Sequence, residues 1–212
     1  MIVASLLTLM GHLSLGNDNI STAERAIFLH YLNLAHFELY QVTATFNQDL
    51  IVFETLTNVQ GENTVTLARS PYAMQSVYDQ THQKKLTRIS LADLLKKDPA
   101  FKATGHPFQY FLQSRRIHFY PLQTAVMSVK VGYVPQPVPF TEQTEEQEIP
   151  YPLAYHPVLV DGALYYLFQE EGGFKNAQKA TEAERRWDTG RSRLLSYLYN
   201  ASGETLSTFS SV

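Results

Sequence analysis

Asp161 is the side chain in this sequence best placed to do chemistry. It is a lone carboxylate in the almost wholly apolar run Tyr155-His156-Pro157-Val158-Leu159-Val160-Asp161-Gly162-Ala163-Leu164-Tyr165-Tyr166-Leu167-Phe168. A carboxyl group taken out of water holds its proton more tightly, which is one way proteins make an acid that works near neutral pH. Acid–base catalysis also needs a second group at a set spacing, and no other acid accompanies Asp161 in a fixed motif. The plainer expectation is an ion pair with an arginine of the last helix, or a place at the wet edge of an interface. Gly162, its neighbour, costs a helix interior about 1 kcal/mol relative to alanine, so the close approach of another helix should compensate.

Seven histidines raise the question of a metal centre. His30 and His36 are spaced so that one helix face does not carry both rings, and no His-Glu-x-x-His pattern occurs. His12, His82, His106, His118 and His156 stand singly. Cysteine is absent, which removes thiolate nucleophiles, cysteine zinc sites and disulfides, and suits folding in a reducing cytoplasm. There is no Gly-x-Ser-x-Gly elbow, no P-loop and no Gly-x-Gly-x-x-Gly. The expectation is of no enzyme: no catalytic residue, no cofactor-binding residue and no metal ligand.

A chain of 212 residues with 44% hydrophobic content is long enough to bury a real core, about 70% of the surface its unfolded chain exposes. A net charge of −3 and a pI near 6.2 give no electrostatic case for wrapping nucleic acid. In the last helix Lys175, Lys179, Arg185, Arg186, Arg191 and Arg193 alternate with Glu182, Glu184 and Asp188, as on a solvated or subunit-bridging face. The 13 Tyr and 12 Phe, beside a single Trp, suit either subunit contacts or a β-rich core. Met1–Met10 lacks the basic start and cleavage site of a signal peptide, and Gly11, His12 and Asn17 interrupt it too early for a membrane span. A short buried helix is expected there.

The hydrophobic period then sets the elements. Ser21-Thr22-Ala23-Glu24 is a capping box opening a helix to about Tyr40, with Phe28, Leu32, Ala35 and Leu39 on one stripe and Ile27, Tyr31 and Leu34 broadening it. From Leu50 the period becomes two. Leu50–Thr57, Thr64–Ala68 and Tyr72–Asp79 read as strands, with Ser70-Pro71 breaking the pattern between the last two. Ser90-Leu91-Ala92-Asp93 is a helix start, so Leu91–Lys97 reads as a short helix. Pro107–Gln113 and Arg116–Pro121 read as a hairpin turning at Ser114-Arg115. Met127, Val129, Val131 and Tyr133 line one face of a further strand, which Pro135, Pro137 and Pro139 should take into an extended, unpaired exit. Thr141–Glu148 reads as a linker. Two helices follow at about Ala154–Glu170 and Lys175–Tyr199, the second with Ala180, Trp187 and Leu194 on a buried stripe.

Several segments in this order carry a likeness: Thr87-Arg88-Ile89-Ser90-Leu91, Phe119-Tyr120-Pro121, Gly132-Tyr133-Val134-Pro135 and the helix from Tyr155-His156. The chain resembles the head-to-tail adaptor (head-completion, connector) proteins of tailed bacteriophages. The resemblance implies an α+β fold, with residues 1–45 and 153–200 as a helical body, 50–140 as an inserted, mostly antiparallel β subdomain, 141–152 as a linker and 201–212 as a flexible tail. It implies a homo-oligomeric, dodecameric ring in the virion neck, assembled in the host cytoplasm. Its expected partners are the phage portal protein and a downstream tail or nozzle protein, with non-specific contact to packaged DNA in the lumen and no membrane. Trp187, Arg191, Leu206 and Phe209 are the expected interface residues. Arg115-Arg116-Ile117-His118 departs from the likeness, carrying more charge than such a hairpin should. Two other readings are a tail-terminator or baseplate ring subunit, and a carbohydrate-binding or hydrolytic module.

Overall fold

The computed structural model describes residues 3–123, 125–145, 148–170 and 173–202. The fold is α+β: among these residues five α-helices accompany antiparallel-rich sheets inserted between the N- and C-terminal helices. The chain divides into two compact units, a helical unit of Met1–Asp49 with Pro137–Val212 and a β unit of Leu50–Gln136.

In the helical unit, α1 (Val3–Leu15) fully buries Val3, Leu6, Leu7 and Met10, so the apolar N-terminal run is a core helix. Helix α2 (Thr22–Thr43) starts at the expected capping box. Ser21 Oγ accepts the Glu24 amide at 3.3 Å and Glu24 Oε2 accepts the Ser21 amide at 2.7 Å. Its buried face holds Phe28, Tyr31, Leu32, Ala35, His36, Leu39, Tyr40 and Thr43. Ile27 and Leu34, expected to widen that stripe, are exposed. The stripe widens the other way, through His36, Tyr40 and Thr43, because the returning chain covers that side.

That returning chain corrects the expectation of a linker at Thr141–Glu148, since its described residues are strapped to α1 and α2. Asn33 grips Phe140 twice, donating from Nδ2 to its carbonyl at 3.2 Å and accepting its amide at 2.6 Å. The Val3 amide donates to the Thr144 carbonyl at 3.2 Å, and Asn47 Nδ2 to the Pro150 carbonyl at 3.0 Å. Phe140, Ile149 and Tyr151 are buried. A polar, acidic composition marks a solvated segment, and it does not by itself mark a loose one.

Helix α4 (His156–Gln169) opens with Pro157 in its first turn and packs against α1, α2 and α5 (Ala177–Ser202), which explains its nearly all-round apolarity. Asn176 caps α5, its Oδ1 accepting the Lys179 amide at 3.0 Å. Ala180, Ala183, Trp187, Leu194 and Leu198 form the buried stripe of α5. A Cβ added at Gly162 would stand 2.7 Å from Trp187 Cε3 and 3.0 Å from Ala35 Cβ, so this glycine admits the indole and α2 together, as its cost in a helix required. Helix α5 runs beyond Tyr199 through Ser202; residues 203–212 lie outside the described ones.

The β unit contains two four-stranded sheets. The first has order β1 (Val52–Thr57), β8 (Ser128–Pro135), β3 (Pro71–Asp79), β4 (Lys84–Lys85), all antiparallel. The second has order β2 (Thr64–Thr66), β7 (Arg116–Tyr120), β6 (Gln109–Gln113), β5 (Thr87–Arg88), with β5 and β6 parallel. Alternation does the sorting. Tyr110, Ile117 and Phe119 join Val77, Val129, Val131 and Tyr133 in one cluster shared by the two sheets. Phe111 and Tyr120 point the other way, onto Ile89 and Leu94 at α3 (Leu91–Lys97). The hairpin turns at Ser114, whose φ is +54°, as the spacing predicts.

Two prolines behave differently from expectation. Pro71 is the first residue of β3, a place where a strand tolerates proline, and Pro135 pairs with it as the last residue of β8. The unpaired exit therefore begins at Pro137.

The glycine contact yields a stability prediction. Gly162→Val should lower unfolding free energy by about 2–3 kcal/mol, because the added side chain overpacks against a ring with no free volume. Urea denaturation followed by far-UV circular dichroism measures it, and a loss below about 1 kcal/mol would mean that the indole yields easily.

Candidate assembly interface

The charged face of α5 meets α4 and α2 through two arginines. Arg186 Nε lies 2.8 Å from Asp161 Oδ1, while its Nη1 reaches Glu182 Oε1 at 2.8 Å. The arginine partner expected for Asp161 is thus present. Burial pushes the Asp161 carboxyl above its usual range, and the Arg186 guanidinium pulls it only partly back. Arg191 Nη1 lies 2.8 Å from Glu38 Oε1 and its Nη2 2.9 Å from Asp188 Oδ1. The Tyr166 hydroxyl donates to the other oxygen of Glu38, and burial followed by this carboxylate raises the phenol well above its ordinary range. Part-exposed pairs of this kind are worth about 0–1 kcal/mol each, so they add little to the stability of the three helices they join.

Of the expected interface residues, Trp187 is 2% exposed and serves as a core group of the helical unit. Arg191 stands over its indole, 5.9 Å from the ring centroid, with its guanidinium occupied by Glu38 and Asp188. Leu206 and Phe209 lie outside the described residues. Sequence reasoning missed Glu38 and Tyr166, which complete the Arg191 network. Glu38 sits on a helix of mixed polarity and Tyr166 beside Tyr165, so neither stood out in the sequence.

On the outer side of α5 a shallow open depression is bordered by Tyr155, Arg193 and Tyr197, with the two tyrosine rings 5.6 Å apart. Leu153 is exposed nearby in sequence. Tyrosine and arginine on an open surface match the residue types enriched where proteins meet, and the absence of walls is unlike a small-molecule pocket. The Arg193–Tyr197 spacing on a wet helix face was the available sequence signal.

The histidines are placed structurally. His36 is buried, stacked on Phe140 at 4.1 Å between ring centroids, with Nδ1 3.2 Å from the Tyr151 hydroxyl. Burial lowers its pKa to about 4. His156 Nε2 donates to the Tyr151 carbonyl at 2.9 Å, so two buried imidazoles hold one tyrosine of the strap. His118 stacks on Phe111 at 4.5 Å, and His82 Nδ1 bonds Asp79 at 2.7 Å. Among the described residues no three metal-ligating side chains gather, and no helix is long and apolar enough to cross a membrane.

A family model of the SU10 adaptor protein matches residues 1–208. The chain belongs to this family. The match takes in both units, in agreement with the adaptor likeness seen in the sequence, and no curated protein matches the chain. The protein is therefore a phage adaptor, a structural class, for which family membership implies a place in the virion neck and contacts with portal and tail proteins.

The adaptor should be sensitive to acid. His36 is depressed to about 4 in the fold from 6.5, so between those values the unfolded chain binds the proton first. Its contribution is fully present above about pH 6.5 and declines as pH falls through about 4, amounting to about 3 kcal/mol. His118 and His156, also lowered by burial, act with the same sign. Urea unfolding at a series of pH values should show this slope, and His36→Gln should make it shallower.

Proposed function

We propose that this adaptor is a ring subunit, dodecameric as its likeness to head-to-tail adaptors implies, which joins the portal to the next tail component and helps seal the DNA-filled head. The observation that carries the reading is the extent of the family match, residues 1–208, which includes the helical unit and the β unit alike. A match limited to one unit would have indicated a shared module on an unrelated protein.

The chemistry of the chain supports a non-enzymatic role. Asp161, the best acid in the sequence, is held by Arg186, and the buried histidines are engaged in packing and hydrogen bonds. In this reading Trp187 contributes from the core by fixing α5, while Arg191 and the Tyr155–Tyr197 surface contribute directly to contacts. Leu206 and Phe209 anchor the chain on the portal or a neighbouring adaptor. The lumen of the ring passes DNA without reading its sequence.

The test is reconstitution on portal-containing heads that lack the adaptor. Adding the purified chain should build a ring beneath the portal, visible by electron microscopy, and should retain packaged DNA against release. A chain ending at Ser202 should fold intact but lose docking, and full docking without the tail would rule out its role as an anchor. Heads that stay bare at saturating protein would overturn the reading. Attachment only to preformed tails would move the protein to a tail ring.

A further inference from the structure

The net charge of −3 conceals a sharp division. Residues 50–136 hold ten Lys and Arg against five Asp and Glu, a formal +5, and the rest of the chain holds seven against fifteen, a formal −8. The side chains accentuate the division. All ten cations of the β unit are exposed. Its carboxylates, in contrast, are mostly turned to internal tasks. Asp79 is buried and caps a turn, accepting the Thr81 and His82 amides at 2.8 and 3.0 Å. Asp98 accepts the Ala103 amide at 2.9 Å and the Tyr120 hydroxyl at 3.2 Å. Glu54 accepts the Ala68 amide at 3.1 Å and the Tyr133 hydroxyl.

Three of the cations converge at one end of the second sheet. Arg116 is the register partner of Thr66 on β2, and the Leu67 amide donates to the Arg115 carbonyl at 2.9 Å. Arg115 Nη1 reaches the Ala68 carbonyl at 3.2 Å, which brings Arg69 to the same corner. Among the described residues none of these three arginines meets a carboxylate at ion-pair distance. This corner contains the charged hairpin that departs from the family likeness.

The chain also carries the complement. Residues 1–49 and 137–152 contain eight Asp and Glu against a single cation, Arg25. Four of those acids lie in the strap between Thr141 and Ile149, where Glu145 and Glu148 are exposed and Glu142 reaches Arg25 only at 3.6 Å.

We propose that the arginine corner of one adaptor, Arg69, Arg115 and Arg116, docks on the acidic strap of the next copy, at Glu142, Glu145 and Glu148. The guanidinium fork matches a carboxylate in two parallel hydrogen bonds, which a lysine cannot reproduce. The contact joins two different faces, so it repeats head to tail and closes into a ring when the rotation permits. DNA phosphate is the competing anion. It is disfavoured because the acidic remainder of the chain repels a polyanion, whereas a second copy offers the acids in equal number. The inference rests on the ring reading and gives it a particular contact.

Sedimentation of the full chain tests it, in salt from about 50 mM to about 500 mM, a range over which exposed charges become screened. Wild-type protein should self-associate at low salt and dissociate at high salt. Arg115→Glu with Arg116→Glu should weaken association at least tenfold, and so should Glu142→Lys with Glu145→Lys. An equimolar mixture of the two variants should restore it. The milder pair Arg115→Gln with Arg116→Gln should give the same direction of change if the reversed charges disturb the hairpin. Unchanged association of the arginine variants, no restoration in the mixture, or no salt-dependent association of the wild type would each overturn the contact. So would loss of duplex DNA binding with self-association intact, which would assign the corner to phosphate. A ring formed on portal-bearing heads by an arginine variant would overturn this contact and leave the ring reading standing.

Discussion

The helical unit depends on a reciprocal exchange of volume between α4 and α5. Trp187 of α5 lies where a side chain at Gly162 would be, and Val158 of α4 lies where one at Gly190 would be, with its Cγ2 2.7 Å from that added Cβ. Each helix presents one large residue followed about a turn later by a vacancy, and because the two helices run in opposite directions each large residue meets the other's vacancy. Such a pairing has one register. Sliding by a turn in one direction would set Trp187 against Val158 and overpack the contact, and sliding in the other would leave the two glycines facing each other across a void. With the register set, Asp161 beside Gly162 meets Arg186 beside Trp187. The ion pair follows from the packing, which is why it can be weak and still be well formed.

Ala35 touches the same point from α2, so the exchange also places the helix to which the strap is tied. Asn33 and His36 lie within a turn of Ala35, and they hold Phe140 and Tyr151. The path from indole to strap is short and made of packed groups. A neutral His36 is part of it, because protonation would place a charge against Phe140 in a site with little water. The acidity of the strap is therefore carried by a segment whose backbone is fastened at several points, and its carboxylates are presented from a defined path.

Much of the fold was legible because periodicity and capping point the same way. Ser21–Glu24 and Ser90–Asp93 marked helix starts that the structure confirms, and the alternation Val129, Val131, Tyr133 marked a buried strand face. Asp161 and Gly162 were legible as anomalies, since a charge and a glycine in an apolar helix each need a compensating neighbour. Illegible elements lacked such local tension. Strands β4 and β5 have two residues each, too few to show a period, and exist because longer neighbours offer them an edge. The strap reads as a linker because what pins it, Asn33, Asn47 and the Val3 amide, is distant in sequence. The charge division was present in the sequence but invisible in the total, because +5 and −8 nearly cancel when the chain is counted whole.

The β unit shows how a charged surface can be built without loading the fold. Its acids are mostly short-range fasteners for turns, a helix cap and tyrosine hydroxyls, and removing one would take away the acceptor that holds such a turn or hydroxyl in place. Its cations stand in solvent, where substitution typically moves stability by no more than about 0.5 kcal/mol. The two signs of charge thus answer to different constraints, the acids to folding and the cations to whatever the surface meets. A hairpin such as Gln109–Gln113 with Arg116–Tyr120 can exchange the residues at its tip while the alternation behind it continues to hold the sheets together. The place where this chain departs from its family likeness is such a tip, where a change of partner costs the core nothing.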